Sequence, residues 1–299
     1  MSDGGEPANL PSTVLSELVG LSQQEAVEVL RSGGWWTVSV AMVLAEWALE
    51  RAEVDPAQSA RSLALASLIA ADHGEPPALL AQIAYAEARK SIFRGDLSAA
   101  EASLRSAQAH WRAINARVPF ARSFLGLTQV LTMQGRFDEA SSAAQGAIDA
   151  LQSLAEADVG ARLLLSRAHR NRANLLVYQE QHAAARDAYL QAVAELDRFQ
   201  AAVAPAEGSE EQIELEAEFG HLALNLASAY TFLDAPDDAE ALLQQAISRF
   251  DIAQDGINRG RAYTNLGRLY LRLGEYANAL RAFDQATRDL LGDLPLAAG

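Results

Sequence analysis

Apolar residues in this chain recur at three- and four-residue spacing, and short polar turns interrupt them at regular intervals. That period predicts helices throughout and no strands. Within it a pair of small residues seven apart appears six times: Ala60/Ser67, Ala100/Ala107, Ala140/Ala147, Ala185/Ala192, Ala239/Ala246 and Ala279/Ala286. Successive pairs are offset by 40, 40, 45, 54 and 40 residues. Seven residues is two helical turns, so each pair lies on one helix face, where a neighbouring backbone can come close. Gly95, Gly135 and Gly274 each stand five residues before the first alanine of a pair, as turn glycines would. Regular offsets of this kind specify repeated helix–turn–helix units. Such units bury their faces on one another and leave an extended surface for binding, with no closed pocket built for chemistry.

The last unit is the most explicit. Tyr263, Leu266, Gly267 and Tyr270 follow the spacing aromatic-x₂-Leu-Gly-x₂-Tyr, and Gly274, Tyr276, Ala279, Phe283 and Ala286 come after them in order. This run resembles the tetratricopeptide repeat (TPR) across nearly its whole motif. In physical terms Gly267 is a contact point between helices, Gly274 permits the tight turn, and Phe283 fills the space between the two helices. Weaker copies stand in phase. One is Ala223, Leu226, Ala227 and Tyr230, and another is Phe124, Leu127 and Leu131; in the fourth copy Arg172 occupies the position the motif gives to Leu. The resemblance implies an all-α, right-handed α-solenoid of about six TPR-like repeats with an N-terminal helical cap. Residues 1–34 are expected to form the N-terminal tail and capping helices, 35–291 the array and 292–299 a C-terminal tail. Ser22-Gln-Gln-Glu25 is a capping-box match that opens one of the cap helices. A period of 40 instead of 34 implies longer helices or loops, with insertions expected in the linkers between repeats. Pro205, Gly208 and Ser209 account for the long fourth step of 54 residues, with an insertion around 200–218. A terminal repeat leaves an apolar face, here Leu273, Leu280, Leu290 and Leu291. Continuation of the chain or end-to-end self-association is expected to cover it in preference to a folded-back tail.

Composition narrows the function. The formal net charge is −15, so the average surface repels a phosphate backbone and nucleic acid is not an expected partner. With no cysteine, disulfides, thiolate metal sites and a cysteine nucleophile are excluded within these residues. The N-terminal residues lack the basic and apolar segments of a signal peptide, and no apolar run is long enough to span a membrane, so a cytoplasmic location is expected. No cofactor is expected. The histidines, His73, His110, His169, His182 and His221, have no metal-ligand spacing. Trp35 and Trp36 are read as core. Glu207, Glu210, Glu211, Glu214, Glu216 and Glu218 are read as a solvated helix start that complements the helix dipole.

One pattern runs against the overall charge. Projecting the first helix of each repeat inward brings forward Arg89, Arg122, Gln129, Arg167, Arg170, Asn171, Asn174, Asn225, Arg261, Asn265, Arg268 and Arg272. Carboxylates are nearly absent from that set, and Arg170 and Arg261 are expected to be exposed. A basic, amide-rich groove suits an acidic or C-terminal peptide segment. Arg170, Asn174, Asn225, Arg261 and Asn265 also resemble the residues with which chaperone-tail-binding TPR domains hold a terminal carboxylate. Here Arg replaces both lysines and Asn replaces the last basic residue. Asn265-Leu266-Gly267 and Asn225-Leu226-Ala227 look like the cores of 40-residue TPRs in bacterial CHAT-type proteins, where a caspase-like domain follows the array. That resemblance spans 36–291 and implies a CHAT-type protease as a partner. The expected function is a non-catalytic scaffold or sensor for a peptide or protein. The alternatives are the regulatory TPR half of a CHAT-type protease system, and a small-molecule sensor or enzyme with a site between helices.

Overall fold

The computed structural model describes residues 10–18 and 20–291. Among these residues there are fourteen helices and no strand. They are α1 (Ser12–Leu18), α2 (Gln23–Ser32), α3 (Val38–Arg51), α4 (Pro56–Asp72), α5 (Pro77–Phe93), α6 (Leu97–Ala113) and α7 (Arg117–Met133). Then come α8 (Phe137–Gln152), α9 (Val159–Tyr178), α10 (His182–Val203), α11 (Glu210–Phe232), α12 (Pro236–Ile252), α13 (Gly256–Leu273) and α14 (Tyr276–Leu291). Consecutive helices pack as pairs: α3 with α4 and α5 with α6 in the first unit, and α9 with α10, α11 with α12 and α13 with α14 in the second. The chain divides into two compact units, 1–146 and 147–299.

The first unit begins with α1 and α2. The Ser22 N–H donates to Glu25 Oε2 at 2.8 Å, and the Glu25 N–H donates to Ser22 Oγ at 3.3 Å, so two otherwise unpaired amides are satisfied reciprocally. Leu15, Leu18, Ala26 and Leu30 join Leu44, Leu63 and Ile69 of α3 and α4 in one core. Asp72, at the end of α4, holds the exit from α2: Arg31 donates to it at 2.8 Å and the Trp36 indole N–H at 3.0 Å. Trp35 and Trp36 pack partly buried against this core, but α3 starts only at Val38, after its N-cap Thr37.

The small-residue ladder holds in five of the six repeats and shifts by one residue in the first. Ala60 is half-buried and Ser67 exposed, whereas Ser59 and Ala66 are fully buried. The two members of each buried pair stand four and eleven residues after the residue that precedes the second helix, and Asp55 sets that origin for α4. Counted from the cap, Ser59/Ala66 is equivalent to Ala100/Ala107 and to the rest. Ser59 disguised the register because it is polar. Its hydroxyl donates to the Ala48 carbonyl at 2.7 Å, so the buried oxygen is satisfied without widening the contact.

In the second unit the core is built from Leu196, Leu215, Phe219 and Leu226, continuing through Leu243, Phe250, Leu266 and Leu269. A Cβ added at Gly267 would lie 2.6 Å from the Phe283 ring, and one at Gly220 would lie 2.7 Å from the Phe250 ring. Each aromatic therefore occupies the space where the facing helix has no side chain. Gly274 ends α13 in the left-handed region (φ 78°), and Glu180 and Asp234 adopt the same region at the corresponding turns. The long fourth step does not fall mainly in a linker. It lengthens α10 to 22 and α11 to 23 residues, joined through Pro205, Gly208 and the N-cap Ser209. Arg259 donates to Asp289 through Nε at 2.9 Å and Nη2 at 3.0 Å, which fastens α13 to α14. Leu273, Leu280, Leu290 and Leu291 are exposed, and the tail expected over 292–299 lies outside the described residues.

Gly267→Ala should lower stability by about 1–2 kcal/mol. The methyl-to-ring overlap outweighs the roughly 1 kcal/mol by which alanine favours a helix over glycine. Urea denaturation of Gly267→Ala, Phe283→Leu and the double variant checks this, with the double variant recovering most of the loss. Equal midpoints for Gly267→Ala and the parent chain would show that the helices separate freely.

Candidate functional site

In the second unit α9, α11 and α13 are neighbours, and the polar residues of each fall at three- and four-residue spacing on one side. Helix α9 carries Arg167, Arg170, Asn171 and Asn174; α11 carries Glu218, His221 and Asn225; α13 carries Arg261, Asn265 and Arg268. The helical period puts each set on a single stripe. Three second helices of the unit, α10, α12 and α14, spend their small faces on packing, with Ala185/Ala192, Ala239/Ala246 and Ala279/Ala286 all buried.

Glu218 organises the stripe. Arg167 Nε donates to its Oε1 at 2.8 Å, and Arg170 Nη1 donates to its Oε2 at 2.6 Å. The carboxylate side chain is only 16% exposed and that of Arg170 21%. Burial pushes the Glu218 carboxyl up, but the charges of Arg170 and Arg167 outweigh it and leave the group below its ordinary value. His221 is one turn further along α11. Burial lowers its pKa first and Arg170 next, Glu218 and Asp255 oppose them, and Arg261 adds to the lowering. Arg170, Glu218, His221 and Arg261 thus form one electrostatic neighbourhood across three helices. The His221 ring also meets Phe250 edge-on at 5.2 Å.

Several residues expected to face a ligand are engaged inside the protein. Asn174 Oδ1 accepts from the Tyr189 hydroxyl at 2.6 Å, which ties α9 to α10. Arg261 is exposed, as expected, and donates to Asn258 at 3.0 Å. Arg170, expected to be exposed, is a partly buried ion-pair member, because the chain supplies its counter-charge from α11. Arg272 donates to the Thr231 carbonyl at 2.7 Å at the far end of α13. Asn225 and Asn265 are half-buried and Arg268 is exposed. Asn171 is half-buried and has a partner within the chain.

The acidic run divides in two. Glu210, Glu211 and Glu214 are exposed, as expected of a solvated helix start. Glu216 is buried and accepts from Arg249 at 2.6 Å, and Glu218 belongs to the stripe described above. A run of five glutamates over nine residues hid this split. On a helix 216 turns away from the side that 210, 211 and 214 share, whereas 218 lies on that side, two turns after 211, and is covered by its arginine partners from α9. The signal was available in the apolar period of Leu215, Phe219 and Leu222, which brackets both residues.

Arg122 and Gln129 belong to the first unit, on α7, and are described apart from the stripe above. The Arg122 guanidinium lies over the Tyr85 ring of α5 at 4.5 Å. Gln129, two turns further along, is exposed. Arg89 of α5 lies over Phe93 at 5.1 Å. A mainly aliphatic cleft of about 350 Å³ in the same unit is lined by Leu18, Leu21, Ala26, Ala64 and Leu65 together with Ser22, Gln23 and Arg61. Among the described residues no three His, Cys, Asp or Glu side chains are placed to hold a metal ion, and no helix is long and apolar enough to cross a membrane. In both units charged donors are held in place by ion pairs or by contacts with aromatic rings.

His169, beside Arg170, supplies a pH test. Burial first, and then the charge of Arg172, lower its pKa from 6.5 to about 4, and its Nδ1 is buried without a partner. The folded state therefore disfavours the protonated ring, so this contribution is complete above pH 6.5 and is lost as pH falls towards 4. The loss should be about 3 kcal/mol over that window. Denaturation curves at pH 7, 5.5 and 4 should show a steep decline for the parent chain and a shallower one for His169→Leu. Parallel declines would mean that His169 is solvated in the folded chain.

Residues 220–290 match the tetratricopeptide repeat family model. No curated protein sequence matches the chain. Among solved structures, BtubC (BKLC) from P. vanneervenii aligns with a TM-score of 0.57 at 19% identity, covering 84% of this chain and 90% of that one. A Rap protein complexed with competence and sporulation factor aligns with a TM-score of 0.58 at 13% identity, covering 94% and 77%. Aspartyl phosphate phosphatase F from Bacillus subtilis aligns with a TM-score of 0.59 at 14% identity, covering 98% and 78%. At these identities the likeness concerns the fold. Helix pairing, the small-residue ladder, the glycine–aromatic contacts and the family match over residues 220–290 agree, and the described residues have a TPR-like helical-repeat fold.

Proposed function

We propose that the chain is a non-catalytic interaction module that binds a polypeptide segment along the first-helix face of its second unit. The observation that carries this reading is the stripe formed by Arg170, His221, Asn225, Arg261, Asn265 and Arg268. These are donor-rich side chains on three neighbouring helices of a protein whose net charge is −15. Fixed donors at helical spacing suit an extended chain, whose carbonyls and carboxylates present acceptors at intervals. One structural neighbour is a Rap protein complexed with competence and sporulation factor, which supports reading this fold as one that takes a partner. The ion pairs of Glu218 with Arg167 and Arg170 modify the expected ligand. Glu218 cancels one of their two positive charges and occupies donors of both, so the arginines of the stripe outside any ion pair are Arg261 and Arg268.

Peptides selected from a random library on the immobilised chain should bind in calorimetric titration. Arg261→Ala combined with Arg268→Ala should weaken them at least tenfold, since each charge-assisted bond contributes about 1.5–3 kcal/mol. The fold should be retained, because both side chains are exposed. Selection of no peptide, or equal affinity for the double variant, would overturn the reading.

A further inference from the structure

Arg122 of α7 and Arg170 of α9 differ in how their charge is met. In the second unit Arg167 and Arg170 share the Glu218 carboxylate. In the first unit α7 (Arg117–Met133) contains no Asp or Glu at all. The Arg122 guanidinium carbon lies over the Tyr85 ring at 4.5 Å, and Tyr85 in turn packs on Trp111, 5.4 Å between ring centroids, with Trp111 only 3% exposed. This contact holds the guanidinium against the ring. It provides no acceptor, because a ring attracts the cation but takes no hydrogen bond along the guanidinium edge. Arg122 Nε is buried with no partner. A guanidinium stays charged at any ordinary pH and can only donate, so an unmet N–H there cannot be relieved by losing a proton.

A second unmet donor lies at the same level. Gln108 Nε2, on α6, is also buried with no partner. Helices α6 and α7 run antiparallel, and two contacts fix their register. Arg112 lies over Phe120 at 5.1 Å, and a Cβ at Gly126 would come within 3.0 Å of Leu104. Gln108 is midway between 104 and 112, so it is level with the stretch of α7 between 120 and 126 that holds Arg122. Two buried donors with no partner thus lie at the same height on α6 and α7, and α7 offers them no carboxylate.

We propose that Arg122, assisted by Gln108, is an oxyanion-binding anchor of the first unit, and that a carboxylate or phosphoryl group on a polypeptide partner supplies the missing acceptor. The step is a non-covalent exchange in which the anion takes the Nε–H and an adjacent Nη–H in bidentate fashion while the guanidinium stays against Tyr85. The polypeptide source rests on the function proposed above. The anion site itself does not, and the two can fail separately.

The test follows the Nε–Hε resonance of Arg122 in the full chain, assigned by its loss in Arg122→Lys, with acetate, inorganic phosphate or chloride added at constant ionic strength. A saturable shift with acetate or phosphate, and none with chloride, is expected. A stronger response to acetate identifies a carboxylate source, and a stronger response to phosphate a phosphoryl source. Gln108→Glu, which supplies the anion from within, should abolish the shift and raise the melting temperature. Absence of a saturable shift with either anion, or an unchanged shift in Gln108→Glu, would overturn the proposal. Peptides selected on the parent chain should lose at least tenfold in affinity with Arg122→Gln. A saturable anion shift with no peptide selected would leave the anchor standing and remove the polypeptide reading.

Discussion

Close approach of helix backbones is the constraint on which the rest of this protein depends. Every repeat places a small residue four and eleven positions after the residue that precedes its second helix, from Ser59/Ala66 to Ala279/Ala286, and all twelve are buried. First helices do the same with Ala88, Thr128, Ala173, Ala227 and Gly267. Small residues let helices pack near the short end of the usual 8–10 Å separation. Larger residues at these positions would push every later helix outward, since each repeat is placed by the one before it. Aromatic residues then fill what the small ones leave open, as Phe250 does against Gly220 and Phe283 against Gly267.

Because packing consumes the small and apolar faces, function is left to polar residues on the first helices, and there the chain uses its charges in two ways. In the second unit it supplies its own counter-ion. Glu218 satisfies Arg167 and Arg170 in a partly buried setting where an unpaired charge would be costly. In the first unit arginines lie over aromatic rings, Arg122 over Tyr85 and Arg89 over Phe93, and the rings attract the cation without accepting hydrogen bonds along its edge. An acidic protein can in this way carry local donor sites of quite different readiness. A carboxylate ligand meets two arginines that already share a counter-ion in one unit and an unmet donor in the other.

Buried ion pairs also fix the helices that carry the stripe. Arg249 with Glu216 and Arg259 with Asp289 each cross between neighbouring helices and bury one carboxylate almost completely. Such pairs contribute more to register than to net stability, because desolvation offsets much of their attraction, whereas removal of one partner leaves the other charge stranded. The first-helix faces therefore do not adjust freely to a ligand.

The sequence by itself determined the class of fold, because a period of three to four and a ladder of small residues are local properties. Gly274, Phe283 and the capping box at Ser22 and Glu25 were legible for the same reason: each acts within a few turns of its own chain. It also brought forward the arginines and asparagines of the first helices, since a stripe follows from helical spacing. The first repeat slipped by one residue because Ser59 is polar in sequence and apolar in effect once its hydroxyl meets the Ala48 carbonyl. Only the tertiary structure decided which charges are free. Glu218 is 48 and 51 residues from the arginines it pairs with, and Tyr85 is 37 residues from Arg122. Electrostatic pairing depends on distance through space, and a pattern read along one helix contains no information about the helix packed against it.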